Sequence, residues 1–249
     1  MTHFQLVGEF HETFGHLRRT IANPMCFDTE SALVRFRLSL IDEEFNELET
    51  AHSEHNIIEI ADALCDLSYV THGTGHCLGL DLTATYQADQ RDAVLIDHQN
   101  HQNHQNHQNH QTATYIEQQI RGLKHAIQLL HCHVDHKDLE QTHRQLYQIL
   151  GQTYEFGHGL GFPMDLLFRE VHRSNMTKAA RTLEDAIASV ELYQKEQKYP
   201  EPAYKVQGGL YVIYDAQTSK ILKNHRWELP RLDQLVDAQH IAMQIYGAK

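Results

Sequence analysis

The sequence predicts an all-α fold, a helical bundle followed at its C-terminal end by a small β-hairpin and a further helix. Three observations carry that reading. Apolar residues recur at three- to four-residue intervals over most of the chain, as in Leu33, Phe36, Leu40, Ile41, Phe45 and Leu48. Strand-like patterning is confined to Tyr204-Lys205-Val206 and the run Leu210 to Asp215. Finally, the chain resembles itself. Sliding Leu64 onto Leu146 aligns Thr71 with Thr153, Gly75 with Gly157, His76 with His158, Leu78 with Leu160 and Gly79 with Gly161. The bundle therefore reads as internally duplicated, a pseudo-dimer within one chain.

Taken in order, Phe4, Val7, Phe10, Phe14 and Leu17 mark a first helix, which ends before the loop containing Asn23-Pro24. Asp28 or Thr29 caps a second helix that runs to about His52. A third spans Asn56 to His76, and a fourth follows Leu78-Gly79-Leu80-Asp81 as far as Ile96. Between His98 and Gln111 a tandem His-Gln-Asn repeat carries no apolar residue to offset ordering entropy, so it is expected to be a disordered insertion. Helical spacing resumes at Ile116, Ile120, Leu123, Ile127 and Leu130, and again at Leu139, Leu146, Ile149 and Leu150. Leu229-Pro230 introduces a last helix with Leu232, Leu235, Val236 and Ile241. The expected units are residues 1–97, the insertion 98–112, a second helical half 113–195 and the extension 196–249.

With 249 residues the chain is long enough for a sizeable core. Lysine and arginine number 21 against 33 aspartates and glutamates, a formal charge of −12 that disfavours nonspecific attraction to nucleic acid. The four cysteines, Cys26, Cys65, Cys77 and Cys132, lack metal-site spacing and read as buried thiols of a reducing compartment. The N-terminus does not read as a secretory signal and no apolar run reaches the ~20 residues of a membrane span. The expectation is a soluble cytoplasmic protein with no nucleic-acid or membrane partner, and with homodimerisation open.

The most informative feature is a carboxylate ladder. It begins Glu43-Glu44-Phe45-Asn46-Glu47 and resumes at Glu59-Ile60-Ala61-Asp62, with Asp66 one turn on. Residues three or four apart share a helix face, so two such helices laid antiparallel point several carboxylates into one space. Only a hard divalent cation offsets their repulsion there, and a triphosphate needs that receptor. At the duplication offset Glu59 falls on Gln141 and Asp62 on Arg144, so the second half has lost the acids. It carries instead Val171-His172-Arg173-Ser174-Asn175-Met176-Thr177-Lys178, which the first half lacks. Complementary losses predict one composite site.

Glu9 to Gly15, the segment Arg37 to Leu48 with its EExxE, the ExxD at Glu59 to Asp62 and the VHRSNMTK segment together resemble the all-α nucleoside triphosphate pyrophosphohydrolases. That superfamily includes MazG, the dimeric dUTPases and phosphoribosyl-ATP pyrophosphohydrolase, and the likeness is greatest to its small phage-type and bacterial members. The resemblance implies a helical bundle in which Glu44, Glu47, Glu59 and Asp62 ligate magnesium, while Asn175 and Lys178 contact the triphosphate. In such relatives the SNM segment follows the ExxD helix within one unit; here the repeat tract and a second hairpin intervene.

The expected activity is magnesium-dependent hydrolysis of a nucleoside triphosphate between its α and β phosphates, giving monophosphate and pyrophosphate, with manganese as a substitute ion. Glu43, Glu44 and Glu47 are the candidate catalytic acids, Glu43 as general base. Asn175, Lys178, Asp66 and His172 are the candidate substrate contacts, Asp66 also serving as a fifth ligand or orienting one. Lys220 or Lys223 and Trp227 of the extension are candidates to close over the substrate. The alternative is a catalytically inactive helical scaffold or nucleotide-binding protein.

Overall fold

The computed structural model describes residues 1–84 and 108–246. Helix α1, His3–Phe14, starts on a capping box in which Thr2 and Gln5 each satisfy the other's backbone N–H. It stops at Gly15, whose left-handed conformation closes the last turn. Leu17, expected to end this helix, thus lies beyond the cap and is 39% exposed. The expected second helix is two. A short α2, Cys26–Thr29, takes in Asp28 and Thr29, so neither caps the longer helix after it. The Thr29 hydroxyl donates to the Met25 carbonyl instead, and the long α3, Ser31–Ser53, begins after Glu30. Helix α4, Ile57–Leu78, is capped by the Asn56 side chain, one residue before the helix rather than its first residue.

Helix α5 spans Gln108–Asp135, so the end of the His-Gln-Asn tract is helical rather than disordered. Extending a helix anchored by the buried Ile116 and Ile120 gains a hydrogen bond per residue, which polar residues do not forfeit. The rest of the tract, and the expected fourth helix beyond residue 84, fall outside the described residues. Then come α6, Leu139–Gly159, α7, Met164–Met176, and α8, Leu183–Glu196. Strands β1, Pro202–Gln207, and β2, Leu210–Asp215, pair antiparallel with Gln207 opposite Leu210. Gly208 and Gly209 supply the two positive φ angles, 57° and 81°, that such a two-residue turn requires. The expected last helix is interrupted. Leu232–Gln234 forms a 3₁₀ turn, and Asp237 accepts the His240 N–H at 3.1 Å and caps a separate α9, Ala238–Tyr246.

Helix α4 is the hub. It packs against α1, α3, α6 and α7, and from Tyr69 to Leu78 it is buried with hardly a break, as a helix at the centre of a bundle must be. Of the cysteines, Cys26, Cys65 and Cys77 are buried but Cys132 is exposed on α5, where its position falls outside the apolar stripe. Among the described residues no helix is long and apolar enough to cross a membrane.

The hairpins α3–α4 and α5–α6 match position for position at the offset read from the sequence. Val34, Leu38, Ile41, Phe45 and Leu48 of α3 correspond to Ile116, Ile120, Leu123, Ile127 and Leu130 of α5, and all ten are buried. Both connections turn on a non-glycine residue in the left-handed region, His55 at φ 58° and Lys137 at φ 57°. In both, the next residue caps the second helix, Asn56 onto the Glu59 N–H and Asp138 onto the Gln141 N–H. Gly79 and Gly161 close the second helices at φ 74° and 79°.

Candidate active site

Because α3 and α4 run antiparallel, the order Glu43, Glu44, Glu47 on one faces the reversed order Asp66, Asp62, Glu59 on the other. Glu44, Asp62 and Asp66 are half-buried, whereas Glu43, Glu47 and Glu59 are exposed. Desolvation, followed by the negative charges of Asp66, Glu47 and Glu43, pushes the Glu44 carboxyl well above the usual carboxylate range. Asp62 is raised by desolvation and by Asp66, Glu59 and Glu47. Asp66 is raised by desolvation, with Lys178 opposing. Six acids from two helices thus share one electrostatic neighbourhood, as the ladder predicted.

The structure also brings a cation of the second helical half to the acids of the first. Lys178, just past the end of α7, stands in the fields of Asp66, Glu44 and Asp62, while its own desolvation lowers its pKa. The C-terminal hairpin is fastened to the same segment. The Asn224 N–H donates to the Lys178 carbonyl at 3.1 Å and its side chain to the carbonyls of Thr177 and Ala179, while Ala180 bridges Tyr211. This staple places Lys220 Nζ 2.9 Å from Glu43 Oε1. Lys223 lies 3.6 Å over the Trp227 ring and feels Asp66 and Asp62. The cations of the extension therefore do reach the acids, whereas Trp227 supports Lys223 from beneath.

One cavity opens beside these groups. Glu43, Glu44, Asp66, Asn175, Lys178 and Lys220 line its charged end, and Phe10, Phe36, Leu40 and Tyr69 its apolar walls. Glu47, Glu59 and Asp62 lie along the helices past its rim. His172 does not line it. Its Nδ1 meets the Tyr69 hydroxyl at 3.0 Å and its Nε2 approaches Glu9 at 3.4 Å, which puts it behind the cavity wall, bracing Tyr69.

The donor chemistry fits magnesium. Every candidate ligand is a hard carboxylate oxygen, and the mutual repulsion that raises Glu44, Asp62 and Asp66 is what a divalent cation relieves. Among the described residues no three histidine, cysteine or acidic side chains already converge on one point. Magnesium does not require such a cage, since it is usually held by one or two carboxylates together with waters and substrate phosphates.

Sequence reasoning gave no role to Arg37, His11 or His16, which line the far end of the cavity. A signal was present in Gly73, a mid-helix glycine that costs about 1 kcal/mol relative to alanine. A Cβ there would collide with the Arg37 guanidinium and stand 3.0 Å from His11 Nε2.

Residues 7–92, which contain the whole ladder, match the family model for phosphoribosyl-ATP pyrophosphohydrolase. Over 244 residues, 95% of this chain and 96% of the relative, the sequence is 32% identical to an uncharacterized protein, L479, of Acanthamoeba polyphaga mimivirus. No solved structure matches.

Proposed function

The chain belongs to the phosphoribosyl-ATP pyrophosphohydrolase family, within the MazG-like nucleoside triphosphate pyrophosphohydrolase superfamily, and from that premise we propose that it hydrolyses a nucleoside triphosphate between the α and β phosphates. The observation that carries the reading is that Glu43, Glu44 and Asp66 line one cavity with Lys178, Asn175 and Lys220, while Glu47, Glu59 and Asp62 continue the same electrostatic cluster along α3 and α4. Glu44, Glu47, Glu59 and Asp62 would hold magnesium, with Asp66 as a further ligand or as the group that orients one. When bound, the ion neutralises the triphosphate and acidifies water.

The chain's own groups then have distinct tasks. Lys178, drawn inward by Asp66, offers a compact cation to a phosphate oxygen. Asn175, 7% exposed, donates its amide to phosphate or sugar. Glu43 accepts the proton of the attacking water as the new bond to phosphorus forms, and pyrophosphate departs from the α phosphorus with the bridging oxygen. Lys220, hydrogen-bonded to Glu43, fixes that carboxylate at the rim. The matching turns and caps of the two hairpins support reading them as diverged copies, the first keeping the acids and the second supplying the phosphate-binding segment.

The test is direct. Incubated with magnesium and a panel of nucleoside triphosphates, the protein should release pyrophosphate and nucleoside monophosphate, and Glu59→Ala or Asp62→Ala should abolish it. Full activity in those variants would remove the site, and no release from any triphosphate would remove the reaction.

A further inference from the structure

The inner end of the cavity holds a cation that the proposed hydrolysis does not use. Arg37 is 6% exposed, yet no carboxylate among the described residues pairs with it. Its Nη2 donates to the Val70 carbonyl at 2.7 Å and its Nε reaches the Thr74 hydroxyl at 3.4 Å, both on α4. Nη1 has no partner among the described residues. Buried charges in proteins are ordinarily paired, and an unpaired guanidinium facing a cavity calls for a ligand that accepts hydrogen bonds.

His11 completes the pattern. Its Nδ1 lies 2.8 Å from the Leu17 carbonyl, which can only accept, so the proton sits on Nδ1 and Nε2 presents a lone pair. Burial, and then the Arg37 charge, keep this ring neutral. Arg37 and His11 meet over Gly73, whose missing Cβ makes the room for both. A fixed donor thus stands beside a fixed acceptor. The approach to them is apolar, lined by Phe10, Phe36 and Tyr69, of which Phe10 and Tyr69 pack edge to face at 5.5 Å. Along α3, Arg37 is about 10 Å from Glu44 at a rise of about 1.5 Å per residue, which leaves space for a sugar and a base between the acids and the guanidinium.

We propose that Arg37 and His11 form a base-reading subsite for nucleobases with a carbonyl next to a ring N–H, as in uracil, thymine, guanine and hypoxanthine. The carbonyl accepts from Arg37, the ring N–H donates to His11 Nε2, and the apolar walls at Phe10, Phe36 and Tyr69 exclude water from the ring. Cytosine and adenine offer an amino group where the carbonyl would be, which sets a donor against the guanidinium and leaves a buried group unmatched. The inference rests on the nucleotide reading above, but its test can fail separately.

Free nucleosides need neither metal nor phosphate, so their binding isolates this subsite. Titrated calorimetrically with the full chain, deoxyuridine and deoxyinosine should bind about 10- to 100-fold more tightly than deoxycytidine and deoxyadenosine, the range a good hydrogen-bonded pair confers. Arg37→Met should erase the difference, and Arg37→Lys, which keeps a cation but not the planar fork, should lose most of it. With triphosphates, kcat/KM should show the same ranking in the parent and a flat profile in Arg37→Met. Discrimination among nucleosides without any pyrophosphate release would leave this subsite standing and remove the hydrolysis. Pyrophosphate release with no base preference, or an Arg37→Met variant that slows all bases equally, would overturn the subsite. Should both Arg37 variants fail to fold, the parent still decides: binding all four nucleosides within about three-fold contradicts the proposal.

Discussion

Helices α3 and α4 make the same hairpin as α5 and α6, with matched core positions, matched left-handed turn residues and matched caps, yet the two present opposite surfaces to their surroundings. Where the first sets Glu44, Glu59, Asp62 and Asp66, the second has Ala126, Gln141, Arg144 and Gln148. Ala126 is fully buried and Arg144 pairs with Glu140 within its own helix, so the second hairpin uses these positions for packing and helix stability. The first holds carboxylates whose charged forms its own burial disfavours. The difference teaches that the frame is maintained by the buried stripe and the turns, while the acids destabilise one copy and are kept there for a reason other than folding.

The strongest way to break the comparison is to exchange function for frame. Asp62→Ala should lower kcat at least about 100- to 1,000-fold, the usual cost of removing one preorganised electrostatic group, whereas Arg144→Ala at the matching position should leave pyrophosphate release within about two-fold. Equal losses in both would erase the distinction between the hairpins. Stability should show the reverse symmetry. Leu64→Ala and Leu146→Ala remove matched and fully buried side chains, and each should cost about 2–5 kcal/mol in urea unfolding. A large cost at only one would show that the two cores are not equivalent.

Acidity sharpens the contrast, because buried histidines and buried acids pull in opposite directions. Burial lowers His16 and His76 to about 4 and His11 to about 2, below the value of about 6.5 they regain on unfolding. The unfolded chain then binds more protons, so their contribution is complete above about pH 6.5 and lost as pH falls toward 4. Asp62 and Glu44 are raised, so their contribution is present below about pH 4 and lost as pH rises through their folded values. The two opposing terms should flatten the parent's stability between pH 4 and 7. An Asp62→Asn, Glu44→Gln double variant should instead gain stability steadily with pH up to about 6.5 in chemical denaturation. An unchanged profile would mean the acids are not desolvated. The smallest effect belongs to the caps, where Asn56→Ala and Asp138→Ala should each cost about 1 kcal/mol.

Much of this was legible in the chain. The ladder was visible because its spacing is helical, and the offset that relates Leu64 to Leu146 extends in the structure through the turns at His55 and Lys137. Boundaries were less legible where a local hydrogen bond competed with periodicity, as when Asp237 capped a new helix inside a continuous apolar pattern. His172 was assigned to the substrate by its place in a motif, and only its contact with Tyr69 shows it turned behind the wall. Arg37 was given no role of its own because an arginine between Phe36 and Leu38 reads as a helix surface residue. Its burial depends on Gly73, which comes from another helix and cannot be paired with it by spacing alone.

The central claim is that the acids of the first hairpin exist to receive a divalent cation. Calorimetric titration of manganese into the full chain at pH 8 measures this without reference to any substrate. The parent should bind the ion, a Glu44→Gln, Asp62→Asn variant should lose at least about ten-fold in affinity, and Gln148→Ala in the second hairpin should match the parent. Absence of binding in the parent, or undiminished binding in the double variant, would contradict the account.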